Sequence, residues 1–149
     1  MIESEPFALA EQAASVLIEL TGVSVHHAAV VLGSGWADAV DSIGEVKADI
    51  EMADLPGFPI PTVEGHRNLI RSVAVNDKSI LIFGGRSHLY EGHSVETVVH
   101  GIRTAVAAGC RVVILTNAAG GINPSWPVGQ PVVISDHLNL TGASPMVGA

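Results

Sequence analysis

Apolar residues recur along this chain in two patterns, one typical of amphipathic helices and one typical of buried strands. Residues 6–21 follow the helical spacing, which predicts a helix that Gly22 ends. Ser94 is a favourable N-cap, and with Glu96 in the first turn it predicts a second helix that ends at Gly109. The apolar stripe of the first helix consists of Phe7, Ala10, Ala14, Leu17 and Leu20. Short apolar runs predict strands at 27–32, 68–75, 79–83, 111–116 and 131–135, the second and third joined by a tight turn.

Strands that alternate with helices favour an α/β fold with a central mixed, largely parallel twisted sheet flanked by helices. The 149 residues fit one domain, 1–149, that is large enough to bury a core. Residues 46–63 are less regular, and 55–61 predict a proline-rich loop. In such sheets the carboxyl ends of the strands carry ligand sites, so segments that directly follow strands are expected to share one rim. These segments are "GSG" (33–35), "GGRSH" (84–88), "TNAAGG" (116–121) and "SDHLN" (135–139).

Composition narrows the choice of partners. Seven Lys and Arg against 15 Asp and Glu give a net charge of −8, which argues against nucleic acid and anionic membranes as partners. A small anion needs only a local cluster of donors and stays possible. Residues 1–12 lack a signal-peptide pattern, and no apolar run approaches the ~18 residues of a membrane span, so we expect a cytoplasmic protein.

The single cysteine and three of the histidines are expected to be structural. Cys110 has no partner for an intramolecular disulfide and cannot contribute to a cysteine-based zinc site with others, so we expect a buried, inert thiol. His26 and His27 precede a strand and His100 lies within a helix, where structural roles are favoured over chemical ones.

Two glycine-containing turns are candidate anion sites. The segment 33–35 is not the dinucleotide fingerprint, because Asp38 stands where the third glycine belongs. It is either an ordinary turn or a nest of backbone N–H groups to which the Ser34 hydroxyl adds a donor. The segment 117–121 is either a sharp turn or a surface where a flat ligand or an anion lies against the backbone.

Arg86 and His88 alternate along an extended segment, so both side chains can point the same way, together with Tyr90. A guanidinium fork beside an imidazole suits a bound oxyanion, although a surface arginine and a structural histidine would have the same pattern. Glu91 either orients a histidine or is solvated. Metal binding by His88 and His93 is disfavoured, because their spacing is not that of a zinc-binding helix.

Together these segments resemble the purine nucleoside phosphorylase family, in its trimeric branch that cleaves inosine and guanosine. The sister branch acting on methylthioadenosine shares the fold but does not resemble this chain at "HLYEGH", "TNAAGG" or "DHLNL". The matching stretches follow the family's order over nearly the whole chain. They are "VVLGSGW" (30–36), "LPGFPIPTVEGH" (55–66), "GGRSHLYEGH" (84–93), "LTNAAGGI" (115–122) and "VGQPVVISDHLNLTGASPMVG" (128–148).

The resemblance implies a role for each matching residue. Tyr90 would touch the ribose, Ala119 and Gly120 would line the nucleoside pocket, and His88 is the implied catalytic residue. No metal, cofactor or covalent nucleophile is implied, since inorganic phosphate is itself a substrate. The implied phosphate ligands are Ser34, His66, Arg86, His88 and the backbone amide of Ala118.

The implied activity is reversible phosphorolysis of purine ribo- and deoxyribonucleosides to the free base and the sugar 1-phosphate, in a homotrimer. Family chains continue well beyond the motif that ends this sequence, and their later part supplies the residues that bind the purine. We therefore expect this chain to be the N-terminal portion of such an enzyme, with the C-terminal part of the fold absent. The alternative is a truncated, catalytically silent protein that binds anions or associates with full-length subunits.

Overall fold

The computed structural model describes residues 6–33, 35–59 and 69–147. Two α-helices are present in this part, α1 (Pro6–Thr21) and α2 (Val95–Ala107). Three short 3-10 helices cover Ala37–Ser42, Met52–Asp54 and Leu89–Glu91. The strands are β1 (Ala28–Val31), β2 (Glu45–Glu51), β3 (Leu69–Val75), β4 (Lys78–Phe83) and β5 (Val112–Leu115).

Both predicted helices are confirmed. The Ser94 hydroxyl accepts the backbone N–H of Thr97 at 3.3 Å, which supplies one of the partners that the first turn of α2 lacks. In α1 the buried face consists of Ala10, Ala13, Ala14 and Leu17. Phe7 and Leu20, at the two ends of the predicted stripe, are half-exposed. Among the described residues, no helix is long and apolar enough to cross a membrane.

The described strands form one mixed sheet in the order β2-β3-β4-β1-β5. β1 runs parallel to β4 and β5, whereas β3 runs antiparallel to β2 and β4. The predicted mixed sheet is thus confirmed, with parallel and antiparallel pairings equally frequent in this part of the chain. The predicted tight turn between β3 and β4 is also present, and Asn76 adopts a positive φ of 54° there.

Aliphatic side chains make up most of the core. Both helices contribute to the main cluster against one face of the sheet, which includes Leu17, Ile70, Leu81, Phe83 and Ala105. A smaller cluster of Leu32, Val40, Val73 and Ile82 lies apart from it, and Val40 belongs to the first 3-10 helix. Cys110 is buried as predicted, and its burial raises the pKa of the thiol to about 11.

The strand β2 lies where the sequence predicts irregular structure. Its residues Glu45–Glu51 alternate charged and apolar side chains, and only Ile50 is buried. β2 lies at the edge of the described sheet and is held by its backbone ladder to β3. The alternation is the period-two pattern of a strand with a solvated face, and the prediction of irregular structure overlooked it.

The predicted strand at 131–135 is wrong. The predicted strand at 111–116 is present as β5, but its predicted burial is wrong, because none of its residues is buried. Residues 131–135 have no regular structure, and Val133 is 95% exposed. A strand needs a ladder partner and a packed layer, and this segment has neither among the described residues. β5 pairs with β1 alone in the described sheet, and its residues Val112, Ile114 and Leu115 are each at least half-exposed.

Candidate active site

The carboxyl ends of the three parallel strands lie side by side. Val31, which ends β1, is in register with Phe83 of β4 and Leu115 of β5. The segments 33–35, 84–88 and 116–121 therefore begin at one rim of the sheet, as the sequence predicts. The expected fourth member, 135–139, follows no strand in the structure, so its place at a strand end is a wrong prediction.

Thr116 ties two of these segments together, and the sequence analysis missed it. Its hydroxyl donates to the carbonyl of Val31 at 3.1 Å and accepts the backbone N–H of Gly33 at 2.9 Å. A hydroxyl that both donates and accepts can join two neighbouring strand ends. The available signal was a polar β-branched residue directly after an apolar strand.

Gly33 allows the two turns to approach each other. A Cβ atom added at this position would lie 2.5 Å from the carbonyl oxygen of Thr116 and 2.9 Å from Cα of Asn117. Both atoms belong to the backbone, so neither can move aside cheaply. The first glycine of "GSG" is therefore required by packing, whereas Ser34 lies outside the described residues and its proposed hydroxyl donor stays a prediction.

Arg86 reaches across the rim to the turn after β5. Its Nη1 donates to the carbonyl of Thr116 at 2.6 Å. This short, charge-assisted bond holds the guanidinium beside the start of the segment 117–121. The arginine is exposed overall, so its remaining N–H groups lie at the surface of the rim.

His88 is held by the residues that follow it. Its backbone N–H donates to the carboxylate of Glu91 at 2.7 Å, and its ring stacks on Tyr90 with centroids 4.6 Å apart. The extended alternation expected from Arg86 to Tyr90 stops at His88, because residues Leu89–Glu91 turn into a 3-10 helix. The turn nevertheless brings the Tyr90 ring against the imidazole, by stacking rather than by alternation along an extended segment.

Glu91 lies between two histidines. Its Oε2 atom is 3.4 Å from Nδ1 of His88, in a geometry that does not make a hydrogen bond, and 3.8 Å from Nε2 of His93. The backbone N–H of His88 holds the pKa of Glu91 below its ordinary value, so the carboxylate is charged at neutral pH. Across the described residues, no group of three or more potential metal ligands converges.

The segment 117–121 is open. Ala118, Ala119 and Gly120 are exposed and outside regular structure, and the side chain of Asn117 donates to the carbonyl of Ala118 at 3.2 Å. A Cβ atom at Gly120 would have no neighbour within 4 Å among the described residues. His66, like Ser34, lies outside the described residues.

A cleft adjoins Arg86 on the side of α2. Its lining includes Val31, Phe58, Phe83, Arg86, Thr97 and Gly101. Most of these side chains are apolar, and the guanidinium supplies positive charge at the edge. The rim thus combines the Arg86 cation with an apolar surface, which together suit a ligand with an anionic end.

Comparison with known proteins agrees with this arrangement. A family model described as the phosphorylase superfamily matches residues 27–149, and the chain belongs to this superfamily. It is 51% identical to a purine nucleoside phosphorylase of Mycobacterium leprae, over 97% of this chain and 54% of that protein. It is 47% identical to a purine nucleoside phosphorylase of a Cellulomonas species, over 97% of this chain and 53% of that protein. The chain spans about half the length of the curated relatives it matches.

Solved structures give the same result for the fold. A purine nucleoside phosphorylase from Schistosoma mansoni, in complex with acetate, superposes with a TM-score of 0.69 at 28% identity, covering 80% of this chain and 43% of that one. Isoform 2 of the enzyme from the same organism, in complex with cytosine and ribose-1-phosphate, has a TM-score of 0.67 at 33% identity, covering 77% and 40%. The nucleoside phosphorylase-like fold predicted from the sequence is confirmed.

Proposed function

We propose that the protein carrying this chain is a purine nucleoside phosphorylase, which uses inorganic phosphate to split purine nucleosides into the free base and a (deoxy)ribose 1-phosphate. The observation that carries the proposal is the Arg86 guanidinium, bonded to Thr116 at the rim where three strand ends meet. The relatives named above support the reaction type. Ribose-1-phosphate, bound to one of the Schistosoma enzymes, is a product of such a reaction.

The proposed phosphate ligands are Ser34, His66, Arg86, His88 and the backbone amide of Ala118. The Arg86 bond supports this assignment, because a guanidinium has five N–H donors in a fixed plane and uses one of them on Thr116. The others can grip two phosphate oxygens at once. Because the Thr116 bond already orders the guanidinium before phosphate binds, binding has a smaller entropic cost.

The proposed chemistry depends on where the negative charge of the bound phosphate lies. Phosphate held beneath the anomeric carbon of the sugar attacks it while its negative charge stabilises the positive charge that develops as the purine departs. His88 is the proposed catalytic residue, donating a hydrogen bond to phosphate. Tyr90, stacked on His88, is proposed to contact the ribose, and the small residues Ala119 and Gly120 to line the nucleoside pocket. Phosphate is a substrate here, and no cofactor or metal is part of the proposal.

Phosphate-dependent release of hypoxanthine from inosine by the full-length gene product tests the proposal. Arg86→Ala should raise the KM for phosphate by about tenfold or more, the cost of losing charge-assisted hydrogen bonds. Arg111→Ala is the matched control, because it removes the same charge just before β5, at the end of the strand away from the rim. An unchanged KM for phosphate in Arg86→Ala would contradict the site. A stop codon directly after Ala149, with a gene product that binds phosphate but does not cleave inosine, would favour the truncated, catalytically silent alternative.

The proposed assembly is a homotrimer in the cytoplasm, with nucleoside and phosphate as partners and with neither nucleic acid nor membrane. The net charge of −8 supports the last point, since both of those partners attract basic surfaces. Light scattering on the full-length protein should give three times the subunit mass. Cell fractionation should recover it in the cytosolic fraction, and a monomeric mass or a membrane-bound pool would contradict these assignments.

A further inference from the structure

The buried imidazole of His100, in the middle of α2, holds the loop that follows β2. His100 is 4% exposed, and its Nε2 atom lies 2.8 Å from the carbonyl oxygen of Pro56. A carbonyl only accepts, so Nε2 carries the proton and donates it. The ring of Phe58 meets the imidazole edge to face, with centroids 4.8 Å apart. One histidine thus contacts the loop through both a polar and an aromatic interaction.

The loop backbone is fitted closely to this histidine. Gly57 has a φ of +81°, and a Cβ atom added there would lie 2.7 Å from Nε2 of His100 and 2.7 Å from Cδ2 of Leu9. Only glycine combines this backbone conformation with so close an approach. Leu55, two residues earlier, is 2% exposed within the main core. The loop is therefore anchored at adjoining points along 55–58.

The anchored loop forms one wall of the cleft beside Arg86. Phe58 and Pro59 line that cleft, and the segment 85–87 lines it as well. Gly101, next to His100 on α2, contributes to the same lining. A shift of the loop away from α2 would therefore change the space next to the Arg86 guanidinium.

We propose that His100 is a positioning residue for the anion site: its bond to Pro56 holds 55–59 against α2 and thereby sets the wall that faces Arg86. The inference rests on the proposed function for its kinetic consequence, and on the contacts of His100 alone for the anchoring itself. Burial lowers the pKa of His100, which keeps the imidazole neutral at pH 7.

Two substitutions separate the hydrogen bond from the bulk of the ring. In the full-length protein, His100→Phe keeps an aromatic ring against Phe58 but removes the donor, and His100→Gln restores an N–H donor at a similar reach. We expect His100→Phe to raise the KM for phosphate by about two- to tenfold, the range for one lost hydrogen bond, with a smaller change in kcat. His100→Gln should bring the KM back toward that of the wild type. His27→Phe is the control, because it makes the same substitution at an exposed histidine.

Amide hydrogen exchange tests the anchoring without any activity. His100→Phe should speed exchange at Gly57 and Phe58, and His27→Phe should not. Unchanged exchange at these two amides would overturn the inference, as would a phosphate KM that stays at the wild-type value while only the thermal midpoint falls. If His100→Phe does not fold, His100→Met, which is flexible and fills irregular space, carries the same expectations. A wild-type protein without phosphorolysis would instead remove the proposed function, while the exchange result would still decide the anchoring.

Discussion

Acid should destabilise this protein through His26. The His26 side chain is fully buried, and its Nε2 lies 2.9 Å from the hydroxyl of Ser72, which is also fully buried. The other ring nitrogen, Nδ1, is buried and has no hydrogen-bond partner in the part of the chain that the structure describes. An imidazolium has two N–H donors, so protonation would leave one of them buried and unsatisfied. Burial, with a smaller contribution from the neighbouring His27, lowers the pKa of His26 to about 4.

The magnitude follows from the difference between the folded and unfolded states. Above the unfolded pKa of 6.5, His26 is neutral in both states and adds no pH dependence. As the pH falls below 6.5, His26 becomes protonated in the unfolded state but stays neutral in the folded state. The free energy of unfolding therefore falls. Linkage gives a loss of about 2 kcal/mol by pH 5 and about 3 kcal/mol by pH 4. Below the folded pKa both states are protonated, and the loss levels off.

Urea unfolding of the full-length protein at pH 8 and pH 5 measures this loss. The matched variant is His26→Phe combined with Ser72→Ala, which replaces the polar pair with apolar groups and leaves no hydroxyl without a partner. His100, whose pKa burial also lowers, titrates in both proteins and cancels in the comparison. We expect the wild type to lose about 2 kcal/mol more than the double variant between the two pH values. Parallel pH dependences in the two proteins would refute the assignment to His26.

Two further substitutions test packing at the rim and the start of α2. Gly33→Ala should lower the thermal midpoint and raise the KM for phosphate, because its Cβ would meet the backbone of Thr116. Gly121→Ala, whose Cβ would make only an ordinary contact, is the stability control, and equal midpoints for the two variants would contradict the packing argument. Ser94→Ala should cost about 1 kcal/mol in urea unfolding through loss of the bond from Thr97, and no change would show that the cap is dispensable.

The parts of the fold that the sequence predicts are those whose side chains are buried. The central strands β1, β3 and β4 have apolar runs because neighbours cover them, and α2 carries its own cap in Ser94. β2 lacks the continuous apolar run of the central strands, and the strict alternation of its charged and apolar residues is the signal that the prediction overlooked. The opposite error occurs at 131–135, where apolar composition is present but no strand forms. An apolar run forms a strand only where a partner strand and a packed layer are available, and an alternating segment can form a strand with little burial.

The candidate site is predictable to the extent that topology determines it. Parallel neighbours bring their carboxyl ends to the same edge, so the meeting of 33–35 with 84–88 and 116–121 follows from the strand pattern. The contacts that fix the rim do not follow from it. The Thr116 hydroxyl and the His100 imidazole donate hydrogen bonds to backbone carbonyls. Every residue has a backbone carbonyl, so the sequence does not indicate which of them will lie within reach of these side chains.

These backbone contacts bear on how an acidic protein could hold the phosphate proposed for this site. With a net charge of −8, the mean field of the chain repels phosphate, so binding must come from donors fixed close to it. Arg86 is fixed by the carbonyl of Thr116, and Thr116 in turn is bonded to Val31 and Gly33. The cation is thus tied to the ends of two adjacent strands of the sheet. Such preorganisation lets a single fixed guanidinium contribute more to anion binding than several mobile charges on a surface would.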